Sequence, residues 1–487
     1  MYLGLDLGTS ALKAVLVNEA AKVVAETSVA LAISRPKPTW SEQNAPDFWM
    51  AVCAVVDEFK RDHAGALAKV RGIGLSGQMH GAVLLDAQDK PVRPVILWND
   101  GRAARECGAL ARDFPDLPFT TGVVAMPGFT APKLMWLKAH EPANFTKVRT
   151  IMLPKDYLRL KLTGVKATDM SDAAGTWWLD EAARNWNEAA LAASETALEQ
   201  MPQLMEGNAV SGMLLPELAA RWGMSTGVVV AGGAGDAAAG AIGLGAIADG
   251  DAFISLGTSG QLFVANNSYR PAPTTMVHAF AHAVPHMWLQ MAAMLNGASP
   301  LAWGAHLLNI ETGKLLAEVE AQYAGPGAVQ FLPYLSGERT PHNNPDAKGV
   351  FFGLTSGTNT ASMGQAILEG VAYCFADAQQ AITAAGTQIR QAGAIGGGTK
   401  SKFWMQIMAN VMNIPLIRYV GADKGPAFGA ARLARMAVTG QTPTQVCVRP
   451  EIFDVTEPQA ELVDAYKPKI AQFRRLYKAL KDEFSAV

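Results

Sequence analysis

Two aspartates stand among glycines in this chain, Asp6 in LDLGTS at 5–10 and Asp236 in GGAGDAAAGA at 232–241. A carboxylate in such a setting can accept a proton or hold a hard divalent cation, and the glycines permit positive φ, so that successive N–H groups face phosphate oxygens. Each stretch has an echo half a chain later. ISLGTS at 254–259 keeps Leu-Gly-Thr-Ser but has Ser255 where the first copy has Asp6. VVVAGGAGD followed by AAAGAIGLG parallels AGAIGGGTK followed by SKFWMQIMANVM, with Thr399 and Lys400 where Asp236 would stand. One half carries an acidic cradle and the other a bare one. A duplicated scaffold places them on opposite walls of a cleft, one gripping a nucleotide and the other supplying acidic groups for metal and proton. Asp236 opens a helix, whose positive end favours the anion, so an ionised and weakly basic carboxylate is expected. Capping that helix is compatible with accepting a proton.

The elements that must position these groups are legible in part. YLGLDLG, ALKAVLVN and KVVAETSVA are three β-rich runs separated by turn residues and predict an antiparallel meander. The second half opens alike with DAFISLG and QLFVAN, but its third strand has no clear signal. VRGIGLSG and GAVLL read as strands. DFWMAVCAVVDEF, after the start signal Asn44-Ala45-Pro46, reads as a helix. So does the C-terminal segment in which Ile470, Phe473, Leu476, Tyr477, Leu480 and Phe484 share a face. No Ser/Pro linker or charge block interrupts the 487 residues. The boundary therefore rests on the internal echo and falls near 246, dividing the chain into domains 1–245 and 246–487.

Charged residues make up 17% of the chain and apolar ones 49%, which requires a large buried interior. A formal charge of −2 offers no basic field for nucleic acid or anionic lipid, leaving a small ligand as the expected partner. Cys53, Cys107, Cys374 and Cys447 are dispersed with no CxxC pair, as in reduced cytoplasmic proteins. The stretch VVVAGGAGDAAAGAIGLGAIA has Asp236 at its centre and reads as a turn and helix rather than a membrane span. GIGLSG at 72–77 fits GxGxxG, yet it lies in a strand pattern followed by another strand, so the dinucleotide reading fails. Leu308 stands where a Walker A loop before Gly313-Lys314 needs glycine, and there is no GxSxG elbow. His278, His282 and His286 are evenly spaced, but Pro285 argues against one helix and no carboxylate completes a zinc site.

One ordered set of motifs runs through the chain: LDLGTS with Lys13, SGQMHG at 76–81, ILWNDGR at 96–102, MPGFTAPKLMW at 126–136, LPKDYLRLKLTG, SDAAGT, GDAAAGA at 235–241, SLGTSG, FLPYLSGERTPHNNP and IGGGTKSKFW. This set resembles the FGGY carbohydrate kinases of the actin/hexokinase/heat-shock ATPase superfamily over essentially the whole length. The resemblance implies two α/β domains with ribonuclease-H-like cores around a central cleft. It implies MgATP-dependent phosphorylation of D-xylulose at its C5 hydroxyl, with ribulose, gluconate or glycerol as rival acceptors and a non-catalytic sugar sensor as a rival of another class. By the same resemblance Asp236 is the base for the sugar hydroxyl, and Asp6 organises Mg²⁺, through water. Gly8, Thr9 and Ser10 lie beside the transferred phosphate, Gly257 and Thr258 beside the nucleotide phosphates, and Gly397, Gly398 and Ser401 in the adenosine-binding turn. Met79 and His80 contact the sugar, with Asn99, Asp100 and Arg102 as further hydrogen-bonding candidates. Trp98 and Trp136 are core or pocket wall. The implied protein is a cytoplasmic enzyme, possible as a homodimer. It departs from the family at Ala237, where Asn or Gln is common, a change that bears on sugar selectivity.

Overall fold

The computed structural model describes residues 1–421 and 425–486. Its first half contains β1 (Tyr2–Leu7), β2 (Ala11–Val17), β3 (Val23–Ala30), α1 (Ala45–Asp62), β4 (Gly72–Gly77), α2 (Thr130–His140), α3 (Pro154–Thr163), β5 (Val210–Met213), β6 (Val229–Ala231), the two-residue β7 (Ala234–Gly235) and α4 (Asp236–Leu244). The second half contains β8 (Ala252–Leu256), β9 (Gly260–Asn266), β10 (His278–Ala281), β11 (Trp288–Met294), α5 (Thr360–Ala384), β12 (Ala392–Ile395), α6 (Lys402–Met412), β13 (Leu416–Tyr419), α7 (Gly425–Thr439), β14 (Ile452–Thr456) and α8 (Ala460–Leu480).

The strands form two sheets with the same inner plan. In the first, the order is β5-β6-β4-β1-β2-β3, with β7 also paired to β4. In the second it is β10-β11-β9-β8-β12-β13-β14. The expected meander β1-β2-β3 is antiparallel, and β1 then pairs in parallel with β4. In the second half β8 and β9 repeat the hairpin, and the third strand that the sequence did not reveal is β11. Its signal is obscured because the edge strand β10 comes first, inserted in the chain between β9 and β11. GIGLSG is β4, buried along its whole length, as a strand flanked on both faces must be.

Helix α1 begins after Asn44 with Pro46 in its first turn, as read from the sequence. The Asn44 side chain makes no capping bond, and its amide instead donates to the Asp47 carboxylate at 3.3 Å. Helix α8 packs on α5 and α6 in the second half, burying Tyr466 and Phe473 there. Among the described residues no helix is long and apolar enough to cross a membrane.

The two halves interlock through a pair of helices. Although α7 belongs to the second half in sequence, it lies across β1 and β4 of the first sheet and against α4. That approach depends on missing side chains. A Cβ on Gly74 would lie 1.8 Å from the Ala430 carbonyl oxygen, and one on Gly429 would lie 1.8 Å from that of Ala239. In an open helix position Gly→Ala stabilises by about 1 kcal/mol, but here the obstruction is backbone and cannot turn aside. Gly429→Ala is therefore expected to destabilise by about 1–3 kcal/mol, read as a lowered urea midpoint. A midpoint equal to or above the parent's would show that the helices can part freely.

Candidate functional site

Asp6 is the fifth residue of β1 and sits opposite Lys13 on β2 and Ser76 on β4. Its Oδ1 accepts from the Ser76 hydroxyl at 3.0 Å, and the residue is 8% exposed. Burial pushes its pKa up to about 6, against the opposing pull of Ser76 and Lys13. The turn that follows is clamped by polar side chains. Gln43 Nε2 donates to the Thr9 carbonyl at 2.8 Å, the Thr9 hydroxyl donates to Gln78 Oε1 at 3.1 Å, and Trp98 Nε1 donates to Thr9 Oγ1 at 2.9 Å. Gly8 and Ser10 flank this fixed residue, with Ser10 exposed.

Asp236 is the first residue of α4, with Gly235 rather than the aspartate in the capping position. A Cβ on Gly235 would lie 2.8 Å from Met79 Cγ, so the glycine lets Asp236 and the QMHG turn share one spot. The Gly235 N–H is held by Ser171 Oγ at 3.1 Å. Asp236 Oδ1 accepts from the Ala237 N–H at 2.7 Å. The sequence expectation of a readily ionised carboxylate is corrected here. Enclosure by the cleft walls, and then the negative charge of Asp6, push the Asp236 pKa up to about 7, outweighing the helix terminus.

Two cavities meet at this aspartate. One, the smaller, runs between Gly240, Gly243 and Leu244 of α4 and Phe253, Ser255, Ile395 and Gly425 of the second half. The other, larger, is walled by Met79, His80, Trp98, Asn99, Asp100 and Phe129 from the first half and by His278, Met291, Glu338 and Arg339 from the second. Asp236, Ala237 and Gln261 line both. Ile395 of the smaller cavity immediately precedes one glycine turn of the second half, and Ser255 is separated from the other by Leu256 alone. Gly257 and Thr258 follow β8, where the Gly257 and Thr258 carbonyls accept from the N–H groups of Ala298 and Gly297 at 2.6 and 3.0 Å. Gly397 and Gly398 lie in a short 3-10 turn after β12, and Ser401 caps α6 by accepting from the Trp404 N–H at 3.1 Å.

The larger cavity contains a histidine of fixed tautomer. His80 Nδ1 lies 2.7 Å from the Gly175 carbonyl oxygen, which can only accept, so Nδ1 carries the hydrogen and Nε2 is left as an acceptor. Burial lowers the His80 pKa to about 3, so the ring is neutral throughout the physiological range. Its backbone is held in turn, in the left-handed region at φ 68°, with its carbonyl accepting from Lys133 Nζ at 2.8 Å and Thr130 Oγ1 at 3.2 Å.

The further candidates divide. Asn99 is exposed on the cavity wall. Asp100 reaches the wall with its carboxylate already spent on the Ser41 N–H at 2.6 Å and on Arg102 at 2.7 and 2.8 Å. The structure does not bring Arg102 to the cleft. Its side chain is 1% exposed, stacked 3.6 Å from the Trp40 ring and paired with Asp100 and Glu42. Its charge is consumed in holding the 99–102 wall, and Trp136 flanks it from the core.

Sequence reasoning missed the second half's contribution to this cavity. His278, weighed only as one of three evenly spaced histidines, faces the cleft. His282 instead bonds the Ala246 carbonyl at 3.1 Å, and His286 sits in a turn at φ 58°. Gln261 directly follows SLGTSG, and Glu338 and Arg339 lie in the quoted FLPYLSGERTPHNNP motif, so the signals were present without an assigned role.

Residues 1–243 match the N-terminal domain and residues 252–438 the C-terminal domain of the FGGY family of carbohydrate kinases. The chain is 46% identical over 483 residues to a xylulose kinase of Escherichia coli K12, covering 99% of each. It is 45% identical over 483 residues to one of Klebsiella pneumoniae, again covering 99% of each. A crystal structure of a xyloylose kinase from Brucella ovis superposes with a TM-score of 0.97 at 46% identity, covering 99% of both chains.

Proposed function

We propose, starting from the fact that this chain belongs to the FGGY family of carbohydrate kinases, that it transfers the γ-phosphoryl group of ATP to the C5 hydroxyl of D-xylulose. ATP is the co-substrate of these kinases, and the fold is their two-domain α/β architecture. The acceptor is assigned from relatives named xylulose kinases that match the chain end to end. The observation that carries the reading is the junction of two cavities at Asp236, one bordered by Ser255 and Ile395, which lead into the glycine turns of the second half, and one by Met79 and His80.

In this reading the nucleotide occupies the smaller cavity, with its phosphates toward Gly257, Thr258 and the turn at Gly8, Thr9 and Ser10, and its adenosine toward Gly397, Gly398 and Ser401. The sugar occupies the larger one, where Met79 packs on its carbon chain and His80 Nε2 accepts from a hydroxyl. Asp236 takes the proton of the C5 hydroxyl as that oxygen bonds to the γ-phosphorus, and the bond from phosphorus to the β–γ bridging oxygen breaks, releasing ADP. A pKa near 7 suits a base working at neutral pH, better than the weakly basic group expected from the helix terminus alone. Closure of the halves about α4 and α7 excludes water that would compete as acceptor.

Asp6 and Asp236 are two hard-oxygen donors whose anions are both disfavoured by burial, that of Asp236 also by the charge of Asp6, an arrangement that a divalent cation relieves and that fits Mg²⁺. Such an ion, when bound, neutralises charge on the transferring phosphate. Asp6 would hold it through water. Ala237 removes the amide that the family often has beside the base. Gln261 lines both cavities with no side-chain hydrogen bond among the described residues and is an amide available for that role. The free thiols of all four cysteines suit the reducing cytoplasm.

A substrate panel with coupled ADP detection tests the acceptor. D-xylulose should give a kcat/KM at least about tenfold above D-ribulose, gluconate and glycerol, a gap of ~1.4 kcal/mol in transition-state binding. A higher value for any of the other three would reassign the substrate, and sugar binding without ADP release would turn the reading to a sensor.

A further inference from the structure

Arg339 is a cation of the acceptor cavity whose side chain has no hydrogen bond or ion pair among the described residues. It lies in FLPYLSGERTPHNNP at 331–345 and reaches the cavity from the second half, facing Met79, His80 and Phe129 of the first. Its backbone N–H donates to Glu338 Oε1 at 2.8 Å, but among the described residues its guanidinium has no hydrogen bond or ion pair, and Glu338 acts on it only as a nearby charge. The neighbouring Glu338 is already committed. Its Oε1 also accepts from the Leu295 N–H at 2.7 Å, and its Oε2 accepts from Asn296 Nδ2 at 3.3 Å.

A guanidinium presents five donors in a fixed fork, and leaving them without acceptors in a desolvated cleft is costly. The acceptors must come from what fills the cavity. The positive charge is felt by His80 and His278, whose pKa values it helps depress, and it is not among the groups acting on Asp236. Arg339 thus acts on the two histidines of the cavity whose wall it shares with them and with Asp236.

Resting on the assignment of this cavity to the acceptor, we propose that Arg339 is a specificity-determining residue that donates paired hydrogen bonds to the sugar oxygens at the end opposite the transferred phosphoryl group. For a ketopentose bound with its terminal hydroxyl at Asp236, those oxygens are the C2 carbonyl and its C1 hydroxyl neighbour. The contact joins a sugar seated on the first half to the second half. It also predicts a further ligand class. A five-carbon aldonate places a carboxylate at that end, and a planar fork binds a carboxylate in a charge-assisted, bidentate pair. Such sugar acids should occupy the cavity as competitive inhibitors.

The test uses the full-length enzyme, D-xylonate as probe, and whichever panel sugar the wild type turns over fastest, so that loss of the D-xylulose assignment leaves the result readable. In Arg339→Met, KM for the sugar should rise about 10- to 100-fold, the loss expected for hydrogen bonds to a charged group, while KM for ATP stays within about twofold. D-xylonate should compete with the sugar in the wild type, lose most of its inhibition in Arg339→Met and keep part of it in Arg339→Lys. A sugar KM within twofold of the wild type in Arg339→Met, or equal D-xylonate inhibition in both proteins, overturns the proposal. Should Arg339→Met fail to fold by circular dichroism, absence of competition in the wild type at ten times the sugar's KM overturns it equally, and competition weakened in Arg339→Lys supports it.

Discussion

Asp236→Asn is expected to lower kcat by about 10²- to 10⁴-fold, the range for removing a positioned proton acceptor, while the fold stays intact. The substitution is nearly isosteric, and the Asn carbonyl oxygen can still accept from the Ala237 N–H. Gly235 keeps its own anchor on Ser171, so the turn that places position 236 does not depend on the carboxylate. What disappears is the ability to take a proton. Stability should move in the opposite direction to activity. Asp236 is raised from 3.8 to about 7, so the folded state binds its proton more tightly than the unfolded chain. Its contribution is present below the unfolded pKa and is lost as pH rises through about 7, leaving a charged group that burial and Asp6 both disfavour. Asparagine removes that loss, so the melting midpoint at pH 8 in metal-free buffer should be no lower than the parent's. Turnover within a few-fold of the parent's would reject Asp236 as the base. A collapsed midpoint would mean that lost activity reflects lost structure.

How far the sequence carried depends on whether a feature is written locally. The cradles were readable because a strand ending in a Gly-rich turn has a short signature, and repeating it exposed the duplicated sheet. The meander β1-β2-β3 was readable because its turns are short, whereas β11 was not, since an inserted edge strand separates it from β9. The position of α7 on the first sheet could not be read, because the glycines that admit it, Gly74 and Gly429, are 355 positions apart and each is unremarkable in its own segment. The same limit governs the site. QMHG marked Met79 and His80, but the wall opposite them, with His278 and Arg339, arises from strands and loops of the other half. Arg102 shows the converse error. A cation beside Asn99 and Asp100 invites a ligand role until Trp40, Asp100 and Glu42 are seen to absorb it. The Asp236 pKa was misjudged for a related reason: the helix end is local, whereas the enclosure and the charge of Asp6, 230 residues earlier, are not.

Asp6→Asn separates the two carboxylates by making their effects pull apart. The asparagine carbonyl can still accept from Ser76, and the Gly8 N–H to residue 6 carbonyl bond is backbone and survives, so β1 and its turn should persist. Only the charge is lost. Because Asp6 is one cause of the raised Asp236 pKa, its removal lets Asp236 ionise at lower pH, which by itself would leave the base more available at neutral pH. If proton acceptance dominated the barrier, this variant would be little impaired. Phosphoryl transfer through a loose transition state depends more on neutralising and aligning charge than on base strength. Kcat is therefore expected to fall by about 10²-fold or more, comparable with losing a group that stabilises developing charge. The half-saturating Mg²⁺ concentration should rise about 10- to 100-fold, the range for groups that hold a metal indirectly. Steady-state rates titrated with Mg²⁺ at saturating sugar and ATP decide the matter. A parental Mg²⁺ profile would reduce Asp6 to a turn residue and leave the acidic cradle with Asp236 alone.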